Sequence, residues 1–186
     1  MHFIMEHEQI SYYEALKYLA RKYHIEFQER ELSAEEMAIR NDRESMFLVN
    51  EFAQKHFSST LHNHIDGKSI GLGYFRERGF RDDIIQKFQL GYSLDQRDAF
   101  TQSAIKAGYN KEYLVKTGLT LEGDNGYLAD RFRGRVMFPV HSLSGKVVAF
   151  GGRILKKDDK MAKYVNSPES EIYHKSSELY GIYFAK

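Results

Sequence analysis

Three guanidinium groups stand at alternate positions in Asp130-Arg131-Phe132-Arg133-Gly134-Arg135. Side chains alternate along a strand, so Arg131, Arg133 and Arg135 would share one face, about 6–7 Å apart, with Phe132 opposite. That spacing suits successive phosphates of an extended polynucleotide. The other reading is a solvated strand face with Asp130 paired to one arginine. A second group, Phe150-Gly151-Gly152-Arg153, has two glycines after an apolar run, which lets a backbone approach a ligand closely with Arg153 poised at the bend; a plain turn fits equally well. The third is Lys163-Tyr164-Val165-Asn166-Ser167-Pro168, followed by Tyr173-His174-Lys175. A cation, an aromatic face and a side-chain amide suit single-stranded nucleic acid: phosphate neutralised, base stacked, base edge or sugar hydrogen-bonded. A core tyrosine and an ordinary Asn-Ser-Pro turn are the alternative.

Other chemistries lack their residues. The glycine spacing matches neither a P-loop nor a dinucleotide fingerprint. Asp82-Asp83 and Asp158-Asp159 are adjacent and point apart, and Asp-x-Asp does not occur. Glu122-Gly123 is followed by Gly126 where a second metal-binding carboxylate is wanted. His62 and His64 would point about 200° apart on a helix, and no carboxylate motif completes a metal site with His56. The chain has no cysteine, which removes disulfides, thiolate zinc sites and cysteine nucleophiles, and fits a reducing compartment. These residues form a binding platform without its chemistry.

The elements that position them change character along the chain. Ser11 with Glu14, and Ser33 with Glu36, have the spacing of capping boxes. The first precedes an apolar stripe of Leu16, Leu19, Ala20 and Tyr23; the second precedes Met46, Val49, Phe52, Ala53 and Phe57. The charged residues 26–31 read as a linker, so residues 1–31 form an appendage to a domain at 32–186. Short helices are expected over 69–78, 81–88, 95–107 and 111–117, ending at Gly79, before Gly91, at Gly108 and at Gly118. Strands follow at 135–140 and 146–150, joined by a hairpin loop, with Pro139 marking an edge or bulge. A third extended piece covers 162–165, and a last short helix lies within 169–180. The fold class is α+β: a helical amino-terminal part, then a small mixed or antiparallel sheet with flanking helices. At 186 residues, 42% hydrophobic and 28% charged, this is one soluble domain with a small appendage. The amino terminus has no signal-peptide pattern, so the expected location is cytoplasmic. Net charge is +1, yet residues 131–175 hold ten Lys or Arg against four Asp or Glu. Such a local cation favours a polyanion partner, unless it is an ordinary solvated face.

In this order, 130–140, 148–154, 163–169 and 173–181 resemble the bacterial DnaG-type DNA primases. Tyr74-Phe-Arg-Glu-Arg-Gly-Phe80 and Phe88-Gln-Leu-Gly-Tyr92 are similar to that family's helical part. The likeness covers roughly residues 33–186, the amino-terminal half of the RNA polymerase domain, and residues 1–31 look like the tail of the zinc-binding module. The resemblance implies a nucleotidyltransferase of the primosome that makes short RNA primers on single-stranded DNA during replication, from ribonucleoside triphosphates. It implies zinc in a module before Met1, and magnesium on a Toprim segment after Lys186 carrying Glu-Gly and Asp-x-Asp. The replicative helicase would bind through a further domain. On this reading the present piece is inactive alone and binds no metal. It supplies a groove for template and RNA–DNA hybrid from Arg78, Arg131, Arg133, Arg153, Lys163, Tyr164, Asn166, Ser167 and Lys175, with Arg135 less clearly facing it. The alternative is a non-catalytic single-stranded nucleic-acid-binding module of a mobile-element or phage replication protein.

Overall fold

Ser33 starts the longest element. In a computed structural model that describes residues 1–8, 10, 12–26, 33–156 and 161–185, its hydroxyl accepts from the Glu36 amide at 3.2 Å. The Glu36 carboxylate accepts from the Ser33 amide at 2.9 Å. This reciprocal cap opens α3 (Ala34–Asn63), which buries Met46, Val49, Ala53, Phe57 and Leu61 along one face. Ahead of it lie α1 (His2–Glu8) and α2 (Tyr12–Lys22). Helix α1 was not expected. The cap expected at Ser11 and, apart from Glu26, the linker fall outside the described residues. In α2 the buried residues are Ala15 and Ala20, while Tyr23 is exposed.

After α3 come a π-helical turn (Gly67–Leu72), α4 (Gly73–Glu77), α5 (Asp82–Lys87), β1 (Gly91–Ser93), α6 (Ala99–Lys106) and α7 (Lys111–Lys116). Strands β2 (Thr120–Glu122), β3 (Leu128–Asp130), β4 (Arg135–His141), β5 (Val147–Ile154) and β6 (Tyr164–Asn166) follow, then a 3-10 turn (Ile182–Ala185). Gly79, Gly108 and Gly118 stand past their helices with positive φ, as expected. Helix α5 is instead followed by Gln89, itself at φ 53, and Gly91 belongs to β1. A Cβ on Gly91 would stand 2.6 Å from that of Phe57, so glycine lets β1 lie directly on α3. The helix expected within 169–180 is replaced by turns and a Ser170–Tyr173 bridge.

The main sheet is antiparallel in the order β1-β4-β5-β6, and β2 pairs with β3 separately. Pro139 lies on β4 beyond the last residue that β1 pairs, so it occupies a local edge, and the register shifts just after it at Val140/His141. One sheet face, with Met137 and Phe150, packs on Phe57, Ala53 and Phe132. The other, with Tyr92, Val136 and Phe138, packs on Phe75, Leu72 and Ile85. Asn50 fixes the helix against the sheet by donating to the carbonyls of Val147 and Val148 at 3.3 and 2.9 Å. Asp130, at the end of β3, caps α6 from outside by accepting from the amides of Phe100 and Thr101 and the Thr101 hydroxyl. Burial pushes its carboxyl up, and those three donors pull it back.

Among the described residues no helix is long and apolar enough to cross a membrane. The carboxyl-terminal turn packs Phe184 on His141 and Phe88, at 4.8 and 4.7 Å between ring centres. His141 is buried, bonded through Nε2 to the Gln89 side chain at 2.8 Å, and burial pushes its pKa down to about 4. The unfolded chain takes up a proton near pH 6.5 and the folded chain only near 4, so stability falls as pH drops through that window. We predict a loss on the order of 3 kcal/mol from this group between pH 7 and 4. Urea denaturation at stepped pH measures it: the slope across this window should flatten in His141→Gln.

Candidate nucleic-acid interface

The register gathers the basic residues at one end of the sheet. Arg153 on β5 stands opposite Val136 of β4 on one side and Tyr164 of β6 on the other. Opposed residues share a face, so Arg153, Tyr164 and, two residues on, Asn166 point the same way. Tyr164 is 63% exposed. From the helical side α4 contributes Tyr74. Its neighbour Phe75 is fully buried, edge-on to Phe80 and Phe138 at 5.5 and 5.7 Å, which fixes how the short helix sits. Arg78, where α4 ends, donates its amide to the Tyr74 carbonyl at 3.2 Å.

The cations meet rings. The Arg153 guanidinium carbon lies 4.6 Å from the centre of Tyr74 and 5.9 Å from that of Tyr164. That of Arg78 lies 5.6 Å from Tyr74, and Lys163 Nζ lies 5.8 Å from Tyr164. Among the described residues none of Arg78, Arg131, Arg153 and Lys163 forms an ion pair. Arg76, Arg81 and Lys116, elsewhere on the surface, are paired with Asp82, Asp83 and Asp42. Each exposed cation–ring contact contributes about 0.5–1 kcal/mol. Repulsion between two cations at 4 Å costs about 1 kcal/mol in bulk water and about 4 kcal/mol near a protein surface, and less beyond. The rings therefore offset part of the crowding without cancelling the charge.

Several expected placements change. Residues 131–134 form a turn, so the three arginines do not share a strand face. Arg131 is half-buried, with its Nε lacking a hydrogen-bond partner. Arg133 is exposed, 3.6 Å from Asp95, a carboxylate that Lys156 also holds. Arg135 turns inward and is 2% exposed. It donates to the carbonyls of Ala162 and Lys163 at 2.9 and 3.2 Å and reaches that of Gly152 at 3.5 Å. Gly151 and Gly152 lie within β5, not at a bend. A Cβ on Gly152 would stand 2.6 Å from the Phe132 ring and 3.1 Å from Arg135 Cδ, so its bareness serves the core, not a ligand. Ser167 is buried, its hydroxyl accepting from the Phe150 amide at 3.1 Å. Lys175 follows Tyr173, which packs on Val148 and Ala149 near the start of β5, about 16 Å of strand from Arg153. Its amide holds the Glu169 carboxyl below the usual range, with His174 3.0 Å from the same carboxylate. Thus Arg78, Arg153, Lys163 and Tyr164 come together with Asn166 alongside, Arg133 pairs with Asp95, and Ser167 and Lys175 stand apart.

Tyr74 was missing from the expected set. Its signal was present as the i, i+4 spacing to Arg78 on a helix. Arg97, whose guanidinium carbon lies 3.1 Å from the Tyr127 ring centre, left no such signal.

Zinc and magnesium do not fit the donors present. Among the described residues no three His, Cys, Asp or Glu side chains gather as a metal site. His56 is packed against Phe57 and Phe100, and burial pushes its pKa down.

Residues 56–186 match the family described as DNA primase catalytic core, N-terminal domain. The chain belongs to the DnaG-type DNA primases. It is 35% identical to the DNA primase of Clostridium acetobutylicum over 98% of this chain and 29% of that one. It is 37% identical to that of Halalkalibacterium halodurans over 99% and 30%. This primase chain thus spans about a third of the length of the curated relatives it matches. A solved DnaG primase catalytic domain bound to ssDNA is similar, with 31% identity and a TM-score of 0.72 over 78% of this chain and 46% of that one. The RNA polymerase domain of Mycobacterium tuberculosis primase DnaG gives 34% and 0.71 over 77% and 46%. The α+β reading and the family resemblance are both borne out.

Arg135 and Arg133 separate structure from surface. We expect Arg135→Ala to cost about 2–4 kcal/mol, because it removes the hydrogen bonds to Ala162 and Lys163 and leaves a cavity beside Phe132 and Gly152. Arg133→Ala should stay within about 0.5 kcal/mol. Urea denaturation of both variants checks this.

Proposed function

We propose that this chain is the template-holding part of a DNA primase, which makes short RNA primers on single-stranded DNA from ribonucleoside triphosphates. The observation that carries the reading is the set of cations held by rings at one end of the sheet, with no ion pair among the described residues. Arg78, Arg153 and Lys163 neutralise backbone phosphates, displacing counterions. The exposed Tyr164 ring offers a base a stacking surface, and Asn166 a donor and acceptor for a base edge or sugar. Arg131 and Arg133 lengthen the track towards the β3–β4 turn, and Lys175 meets the strand or hybrid further along. Ser167 acts by keeping β6 on β5. Contacts of this kind are mainly indifferent to sequence, which lets a template advance.

The relative bound to ssDNA supports this reading, as does a second relative in complex with a DNA duplex carrying a 6-nucleotide overhang. Magnesium for phosphoryl transfer and zinc for the zinc-binding module come, on this reading, from segments other than this one, which is inactive alone. Residues 1–31 are the tail of that module and 32–186 the amino-terminal part of the catalytic core. The replicative helicase engages another domain, and the whole works in the cytoplasm.

A fluorescence-anisotropy titration of the chain with labelled single-stranded DNA, across a salt series, tests the proposal. Affinity should fall steeply with salt. In Lys163→Ala it should fall further at low salt, with the log–log salt slope shallower by about 0.7, the loss of one phosphate contact. No binding at about 50 mM salt, or a slope unchanged in the variant, would overturn it.

A further inference from the structure

Two positive groups rest on one uncharged ring in the middle of this cluster. The guanidinium carbons of Arg153 and Arg78 lie 4.6 and 5.6 Å from the centre of Tyr74, so they are no further apart than the sum of those distances. That bound keeps both guanidiniums within reach of phosphates of one strand, which follow one another about every 3.4 Å along the axis in B-form DNA. The two arginines come from different elements, one from the end of α4 and one from β5, and Tyr74 is the side chain both touch. Arg153 Nε is buried without a hydrogen-bond partner, so this guanidinium is not steered by a full set of acceptors. Tyr74 itself is fixed from below by buried Phe75. Its hydroxyl has no hydrogen bond among the described residues.

We propose that Tyr74 is a positioning residue, whose ring holds Arg153 and Arg78 side by side and unneutralised to grip adjacent phosphates of a single strand. The inference rests on the template-holding reading above. A carboxylate in the same place would align the arginines equally well, but the incoming phosphate would have to displace it. A ring attracts a cation through its quadrupole and leaves the charge in place. The role needs the ring and not the hydroxyl.

The test uses the 186-residue chain and labelled oligo-dT as the probe, with circular dichroism melting of every variant. Tyr74→Phe should bind within about twofold of the parent, and Tyr74→Leu about fivefold more weakly with a shallower salt slope. Pentafluorophenylalanine at position 74 keeps the ring's shape and reverses its quadrupole, and should weaken binding like leucine; it is decisive if the leucine variant does not fold. In an Arg78→Ala/Arg153→Ala background, Tyr74→Leu should change affinity less than about twofold, since nothing is left to position. A merely structural tyrosine would weaken that background too, and this result overturns the proposal. So does parental binding by the fluorinated variant, or a loss in Tyr74→Phe as large as in Tyr74→Leu. If Arg153→Ala weakens binding while both Tyr74→Leu and the fluorinated ring do not, the template-holding reading survives and the positioning role fails. If the arginine double variant binds like the parent, both fail.

Discussion

A guanidinium with no carboxylate sits inside this protein, and the sheet's working end depends on it. Burying an unpaired cation is costly unless dipoles satisfy it. Arg135 meets part of that demand with the carbonyls of Ala162, Lys163 and, at 3.5 Å, Gly152, while its Nε has no partner among the described residues, and burial pushes its pKa down. Because two of those carbonyls immediately precede β6, the cation fastens that three-residue strand to β5. The register that sets Tyr164 opposite Arg153 follows from this attachment. Gly152 supplies the room, since any side chain there would enter the space of Phe132 and Arg135. The arginine-rich and glycine-pair motifs thus meet in the interior and hold the surface residues that flank them.

On that surface cations are held in two ways. Arg76, Arg81 and Lys116 are neutralised by aspartates, and such exposed pairs are worth little and occupy the charge. Arg78, Arg153 and Lys163 lean on tyrosines and keep theirs. A weak, sliding hold on a polyanion needs charge that is positioned but not already spent on a partner, and rings provide that. Asp95, shared by Arg133 and Lys156, holds its two cations in the first way.

What was legible in the sequence is what local chemistry decides. The Ser33–Glu36 cap, the glycines that end three helices and the β4–β5 hairpin depend on residues close in the chain. Strand β1 was not legible, because three residues are too short to show a period and its place comes from contact with Phe57. The alternation of Arg131, Arg133 and Arg135 misled, because a turn at 131–134 breaks the period and packing turns Arg135 inward. Phe132 and Gly152 are the cause, and their contact joins residues twenty positions apart. At the site, Lys163, Tyr164 and Asn166 were readable as neighbours in one short segment, with Asn166 expected in a turn rather than on the strand it ends. The resemblance to DnaG-type primases drew Arg78 in, and Arg153 stood out beside its glycine pair; Tyr74 carried the i, i+4 spacing to Arg78, but its contact with Arg153 shows only once α4 is docked on Phe138.

On the proposed function, ring-held arginines with no ion pair among the described residues receive the template. Arginine Nε–Hε resonances of the 15N-labelled chain, followed by NMR during titration with oligo-dT, test it most directly. Arg78 and Arg153 should shift together and saturably, while Arg76 and Arg81, held by aspartates, and the buried Arg135 stay in place. Shifts at Arg76 and Arg81 with none at Arg78 and Arg153 would contradict it.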